Sequence, residues 1–247
     1  MSRSPLSPGL ALAAEVFLEG LEAAGLDLLP PPAAAAAGAE AEGASAAESA
    51  AAGDGQASLA ALAVRIDACR ACPLGATRTR SVPGEGPPTA RVVFVGEAPG
   101  ADEDRTGRPF VGRAGQLLTR IIENGMGLRR REVFIANVLK CRPPDNRDPL
   151  PAEKEACTPW LEEQLRLLRP ELIIALGRHS ACHLLGRETS LSRLRGALHP
   201  RPGGGPPVLA TYHPAYLLRN PAAKADCWQD IQLGMRHLGL PLPGRGR

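Results

Sequence analysis

Four short, uninterrupted apolar runs constrain this chain more than any other feature: "RVVFVGE" from Arg91, "EVFIANVLK" from Glu132, "ELIIALG" from Glu171 and "PPVLATYH" from Pro206. Each is too short for a buried helix and none alternates strictly between apolar and polar residues, so each reads as a strand covered on both faces. The stretches between them, "AGQLLTRIIENGMG", "PAEKEACTPWLEEQLRLLRP" with Pro151 at its start, and "RHSACHLLG", read as helices, and a last helix is predicted over Ala222 to Leu238. Strands alternating with helices predict an α/β fold: three layers, α/β/α, around a central four-stranded parallel sheet. In such sheets the ligand crevice lies outside the carboxyl ends of the strands. Polar residues and glycines gather here after Val95, after Ile135 and after Thr211, three strand ends that share one rim.

The first sixty residues belong to a different compositional class. The run "PPPAAAAAGAEAEGASAAESAAAGDGQAS", Pro30 to Ser58, cannot bury enough apolar surface to offset the entropy of ordering it. Residues 1–58 therefore read as a disordered low-complexity tail, 59–240 as the folded domain and 241–247 as a short basic tail. A short amphipathic helix near residues 8–26, with Leu10, Ala14, Phe17 and Leu21 on one face, is a candidate contact for a protein partner. Glu15, Glu19 and Glu22 interrupt it, so it is neither a signal segment nor a membrane span. Residues 1–60 hold eight acids and one base, a net of −7, whereas the remainder holds 28 bases and 18 acids, a net of +10. A basic domain behind an acidic tail suits a polyanionic partner such as nucleic acid. An arginine-rich solvated surface gives the same count, so charge alone leaves both readings open.

The stretch "GEAPGADEDRTGRPFVGRAGQLL", Gly96 to Leu118, packs five glycines and four acids between two apolar runs. It reads as a loop that leaves a strand and enters a helix, with glycines that let backbone approach a ligand. A phosphate-binding loop is a poor reading of it, because the Lys-Ser/Thr ending is missing and the acids repel phosphate. Phe110 stands alone after Arg108-Pro109 in a chain with eight aromatics. By itself it reads first as a loop anchor packed into the core. Asn137, at the end of the second strand, by itself reads as a turn former or cap.

Cys69 and Cys72 form "CRAC", and Cys141 and Cys157 follow with fifteen residues between them. Two thiols three positions apart can grip one metal or cluster, and a second pair from distant chain completes four ligands. Spacing does not choose between a four-thiolate zinc site and an iron-sulfur cluster. Cys182 and Cys227 fall within predicted helices and read as core.

"GEAPGADEDRTGRPFVGRAGQLL", "ANVLKCRPPDNRDP", "YHPAYLLRNP" and the four-cysteine pattern, in that order, resemble family 4 of the uracil-DNA glycosylases, the iron-sulfur type of their superfamily, over about Ala60 to Leu238. The resemblance implies an enzyme of base excision repair that flips uracil out of DNA and hydrolyses its N-glycosidic bond, with a 4Fe-4S cluster held by Cys69, Cys72, Cys141 and Cys157. It also implies substrate contacts from the Ala98 backbone, Phe110 stacking on the flipped base and Asn137 reading its edge. Glu97 and Glu103 match acidic positions near the scissile bond and the water, and His213 the histidine that supports charge at uracil O2. Leu217 matches the apolar wedge inserted into the duplex, and Arg219 suits a flanking phosphate. The cluster's ligands lie outside the pocket loops, which implies a structural role. The loop around Lys140, Arg142 and Arg147 is a candidate DNA-backbone contact. Uracil-containing DNA as partner, a monomeric state, no membrane, and a cytoplasmic, nucleoid-associated location complete the expectation. The competing readings are a non-catalytic iron-sulfur nucleic-acid-binding protein and a glycosylase of broader deaminated-base specificity. A covalent-binding relative, which carries a nucleophilic histidine after the strand-end Asn, is not matched, because Asn137 to Cys157 contains no histidine.

Overall fold

The computed structural model describes residues 46–242, with side chains for 55 and 57–242. The expected helix near residues 8–26 lies outside the described residues, as does the expected basic tail, 241–247, from residue 243 onward. Helix α1 runs Ala46–Ala68 and so begins inside the stretch read as a tail, although its first buried side chain among those described is Leu59. Leu59, Leu62 and Ile66 form its buried stripe at helical spacing. A four-residue helix α2, Leu74–Thr77, follows.

The four predicted strands are β1 (Val92–Gly96), β2 (Phe134–Asn137), β3 (Leu172–Leu176) and, last in the chain, β5 (Val208–Thr211). They pair in parallel in the order β2-β1-β3-β5. The sheet has a fifth member that was not expected: β4, Leu198–His199, pairs antiparallel with β5, Leu198 opposite Leu209 and His199 opposite Val208. Two residues ahead of Pro200 are too few to carry a periodic signal. At the opposite edge, a bridge between Glu85 and Ile135 covers β2.

Alternate strand residues enter opposite layers, as the pleat requires. Val92, Phe94, Ile174 and Leu209 pack beneath α4 (Arg113–Arg120), α8 (Pro214–Arg219) and α9 (Lys224–His237). Val93, Val95, Ile173 and Ala210 pack beneath α1, α5 (Pro151–Leu168) and α6 (Arg178–Leu185). This double burial explains why the strands read as continuous apolar runs. Two short helices, α3 (Ala101–Thr106) and α7 (Leu191–Leu194), complete the set. A π-helical turn, Ile121–Gly125, extends α4, and Pro151 opens α5.

The strand order reverses between β1 and β3, since β1 leads to β2 on one side and β2 crosses to β3 on the other. In such sheets ligands bind outside the carboxyl ends of the strands, at a reversal of this kind.

Candidate active site and cysteine corner

A cleft of about 560 Å³ occupies the carboxyl ends of the strands. Glu97, Ala98, Glu103, Phe110, Asn137, His213 and Arg219 all line it. Three separate loops thus deliver the polar residues that the sequence placed on one rim.

Asn137 ends β2 directly beside Gly96 of β1. Its side chain is almost fully buried, and Oδ1 has no hydrogen-bond partner. A buried amide oxygen without a donor is costly unless a ligand supplies one. Gly96 makes the arrangement possible: a Cβ built there would lie 2.3 Å from Asn137 Oδ1 and 2.6 Å from Phe110 Cζ. Phe110 is both core and cleft wall, which reconciles the anchor and platform readings. Its φ of 50° is a left-handed backbone that a phenylalanine adopts only under constraint. The constraint is visible. Arg130 donates to Pro109 O at 2.7 Å, and Glu103 Oε1 accepts from the N–H groups of Val111 and Gly112 at 2.8 and 3.1 Å. Glu103 Oε2 accepts from Gly100 N–H at 3.1 Å, so this carboxylate ties both ends of the loop together.

His213 faces the Phe110 ring at 5.6 Å between centroids. Burial, reinforced by Arg219, pulls its pKa down to about 4, so the ring is neutral at pH 7. Its Nδ1 accepts from Ala215 N–H at 3.1 Å. The neutral ring therefore carries its proton on Nε2. The segment is anchored from below by Asp230, which accepts from Thr211 Oγ1 and Arg195 Nε, both at 2.7 Å. Arg195 also lies over the Tyr212 ring, and Tyr212 stacks on Tyr216.

The expectation for Leu217 does not fit. Leu217 is 1% exposed, packed in the core with Trp228 and Ile231, and it is not presented to a duplex. The short α8 turns that face inward, leaving Tyr216, 40% exposed, at the lip of the cleft. Arg219 is exposed in the last turn of α8. Lys140 also departs from expectation. It is 1% exposed, and its Nζ donates to Asn137 O at 2.8 Å and Gln164 Oε1 at 2.7 Å. Arg142 is half-buried and Arg147 exposed, the latter paired with Glu153.

Glu97 has a partner that sequence reasoning left unassigned: His179, whose Nδ1 meets Glu97 Oε1. His179 is the second residue of α6, which starts directly after β3, a fourth strand end on the same rim. The "GRHS" that follows "IIAL" carried a usable signal, because it sits where the strand order reverses.

Cys69, Cys72, Cys141 and Cys157, the last from the second turn of α5, converge on one small enclosure, lined also by Ile66, Gly75, Lys140 and Trp160. Arg78 donates to Cys141 Sγ at 2.9 Å and Lys140 N–H to Cys157 Sγ at 3.2 Å. Burial pushes the Cys141 thiol up and the Cys157 thiol up to about 11, and burial also pulls the Lys140 ammonium down to about 8. Such buried thiols become thiolates when a cation replaces their protons. Cys182 and Cys227 are buried elsewhere, in the core, as expected.

Residues 83–232 match the sequence profile of the uracil DNA glycosylase superfamily. A type-4 uracil-DNA glycosylase of Thermotoga maritima is 49% identical over 158 residues, covering 63% of this chain and 81% of the relative. One of Sulfurisphaera tokodaii is 45% identical over 181 residues, covering 71% and 82%. A type-5 uracil-DNA glycosylase of Thermus thermophilus is 36% identical over 184 residues, covering 60% and 83%.

Proposed function

The chain belongs to the uracil DNA glycosylase superfamily, and from that premise we propose that it is a DNA repair enzyme that takes uracil into the cleft and hydrolyses its N-glycosidic bond, leaving an abasic site. The observation that carries this reading is the unpartnered, buried Asn137 Oδ1 beside an aromatic wall. Uracil presents N3–H and O4 side by side. Asn137 Oδ1 accepts from N3–H while its Nδ2 donates to O4; cytosine inverts both groups and leaves the amide unpaired. The Phe110 ring supplies the stacking face.

As the glycosidic bond lengthens, the electron pair passes to the base and negative charge grows at O2. A neutral His213, with its proton on Nε2, donates to that oxygen at no cost of deprotonation. The Ala98 backbone N–H is the second candidate donor. Positive charge on the sugar is complemented by Glu97, which also orients the attacking water. Water oxygen bonds to the sugar carbon as the N-glycosidic bond breaks; the water gives up one proton on the Glu97 side and the departing uracil anion takes up one proton. Glu103, with both oxygens engaged by backbone N–H groups, shapes the loop that carries Phe110. Tyr216 and Arg219 are the groups of α8 offered to DNA, to a neighbouring base and a phosphate respectively. This convergence also disfavours a non-catalytic binding module, which has no use for it.

Cys69, Cys72, Cys141 and Cys157 are assigned to a 4Fe-4S cluster. The donors to Cys141 and Cys157 suit anionic sulfur, as a cluster's thiolate ligands require. The cluster contributes cross-linking of chain and no step of the hydrolysis.

The test is incubation of the purified full chain with a uracil-containing oligonucleotide in EDTA, scored for free uracil and alkali-labile breaks. Release without added metal is expected. Intact DNA in the presence of the loaded cysteine site overturns the assignment.

A further inference from the structure

Glu97 does not stand alone on the rim. Gly177, with φ of 94°, turns the chain out of β3 and donates its N–H to Thr211 O at 2.8 Å, which fixes the start of α6 over the carboxyl end of the sheet. Arg178 and His179 are the first two residues of that helix. Arg178 Nη2 lies 2.8 Å from His179 Nε2. A guanidinium has only donors, so Nε2 is the acceptor and the imidazole proton resides on Nδ1. Nδ1 is the nitrogen that meets Glu97 Oε1. The chain of contacts continues outward, with Arg178 Nη1 donating to Glu188 Oε2 at 3.0 Å.

Neither ring nor carboxylate is at the open surface: the His179 side chain is 27% exposed and that of Glu97 29%. The Asp148 carboxylate comes within 4.8 Å of the facing atoms of both. Two carboxylates at that separation repel, and without a directed donor Glu97 has a reason to swing away. Glu97 Oε2 accepts no hydrogen bond among the described residues, and Glu97 lines the cleft.

We propose that His179 is a positioning residue that holds Glu97 by one oxygen and leaves the other for the sugar and the water, and that Arg178 selects the tautomer needed to do so. The role rests on the glycosylase reading above. It is a division of labour: His213 addresses the leaving base, and His179 addresses the carboxylate on the other side of the scissile bond. His179 touches no reacting atom.

The test is single-turnover uracil release by the full-length protein on a single-stranded uracil oligonucleotide. His179→Ala is expected to lower the rate about ten- to a hundredfold, the size of a lost hydrogen bond to a charged group, with half-saturation moved by less than about twofold. His179→Asn places an amide N–H where Nδ1–H stood and is expected to recover to within about threefold of wild type; His179→Gln reaches toward the Nε2 position and is not. In a Glu97→Ala background, His179→Ala is expected to add nothing. A wild-type rate for His179→Ala, additive losses in the double variant, or a folded His179→Asn no better than His179→Gln overturns the role while leaving the glycosylase reading intact. A wild-type chain that releases no uracil overturns that reading instead. Independently of activity, 15N-imidazole NMR is expected to show His179 protonated at Nδ1 and bare at Nε2, with the signal moved by Glu97→Ala; the opposite tautomer overturns the proposal.

Discussion

Asn137 and Cys141 lie four residues apart on the segment that leaves β2, yet they open onto opposite kinds of environment. At the cysteine corner the polar groups are paired with one another. Lys140 binds Asn137 O and Gln164, Gln164 donates to Pro83 O at 2.7 Å, and Arg78 donates to Cys141. In the cleft, on the side chain of the residue whose carbonyl closes that network, Asn137 Oδ1 is buried and has nothing to bind. A region whose hydrogen bonds close internally stabilises the chain, whereas one that leaves an acceptor open is built for a guest. Lys140 joins the two, since its ammonium holds the backbone of the residue whose side chain reads the base.

The comparison breaks most readily at the corner. Cys141→Ser is expected to abolish a broad visible absorption and to lower the midpoint of thermal unfolding by roughly 10 °C or more, because a structural cluster contributes folding free energy directly. Coloured, equally stable protein shows that Cys141 is not a ligand. Cys182→Ser is expected to keep the colour.

In the cleft the effect falls on chemistry and spares the fold. Asn137→Asp keeps the acceptor for N3–H but sets oxygen against O4, and uracil release is expected to fall by on the order of 1 to 3 kcal/mol or more, with colour and unfolding midpoint unchanged. Wild-type release with chemistry rate-limiting removes Asn137 from base recognition. Gly96→Ala probes the same pocket through packing: Asn137 and Phe110 must both retreat from the new methyl. Overpacking of this kind costs about 1 to 3 kcal/mol, and kcat/KM for uracil release is expected to fall about tenfold or more.

A smaller effect comes from His213. Its folded pKa of about 4 lies below the ordinary value of 6.5. Between those values the unfolded chain takes up a proton that the folded chain refuses, so stability falls as pH drops from about 6.5 to 4 and levels off below. Urea unfolding at pH 7 and pH 4.5 is expected to show a pH penalty smaller by roughly 1 to 3 kcal/mol in His213→Gln than in wild type. Equal penalties show that the ring is protonated in the folded state. The smallest effect is expected from deleting residues 1–45, which contribute none of the named groups. Uracil release is expected to stay within about twofold, with slightly tighter DNA binding from the loss of acidic charge. An inactive but folded truncation contradicts this.

The residues of the cleft differ in how legible they were. Asn137, Phe110 and Glu97 stand in motifs, and each lies on the cleft. Leu217 stands in a motif too, but a six-residue helix gives too little periodicity to say which side faces the core, and packing against Trp228 turned it inward. Lys140 reads as a surface base in sequence, whereas Gln164 and a backbone carbonyl give it a buried berth. His179 belongs to no motif at all.

The sequence by itself determined the parallel sheet, its two covering layers and the rim where polar loops meet, because continuous apolar runs must be buried on both faces wherever they are placed. It did not determine the two-residue antiparallel edge, nor which polar groups pair and which stay open. Those depend on partners far apart in the chain, such as Glu97 and His179, separated by 82 positions. Local composition cannot encode whether a distant donor arrives, so only tertiary structure decided that Glu97 is held and Asn137 Oδ1 is left free.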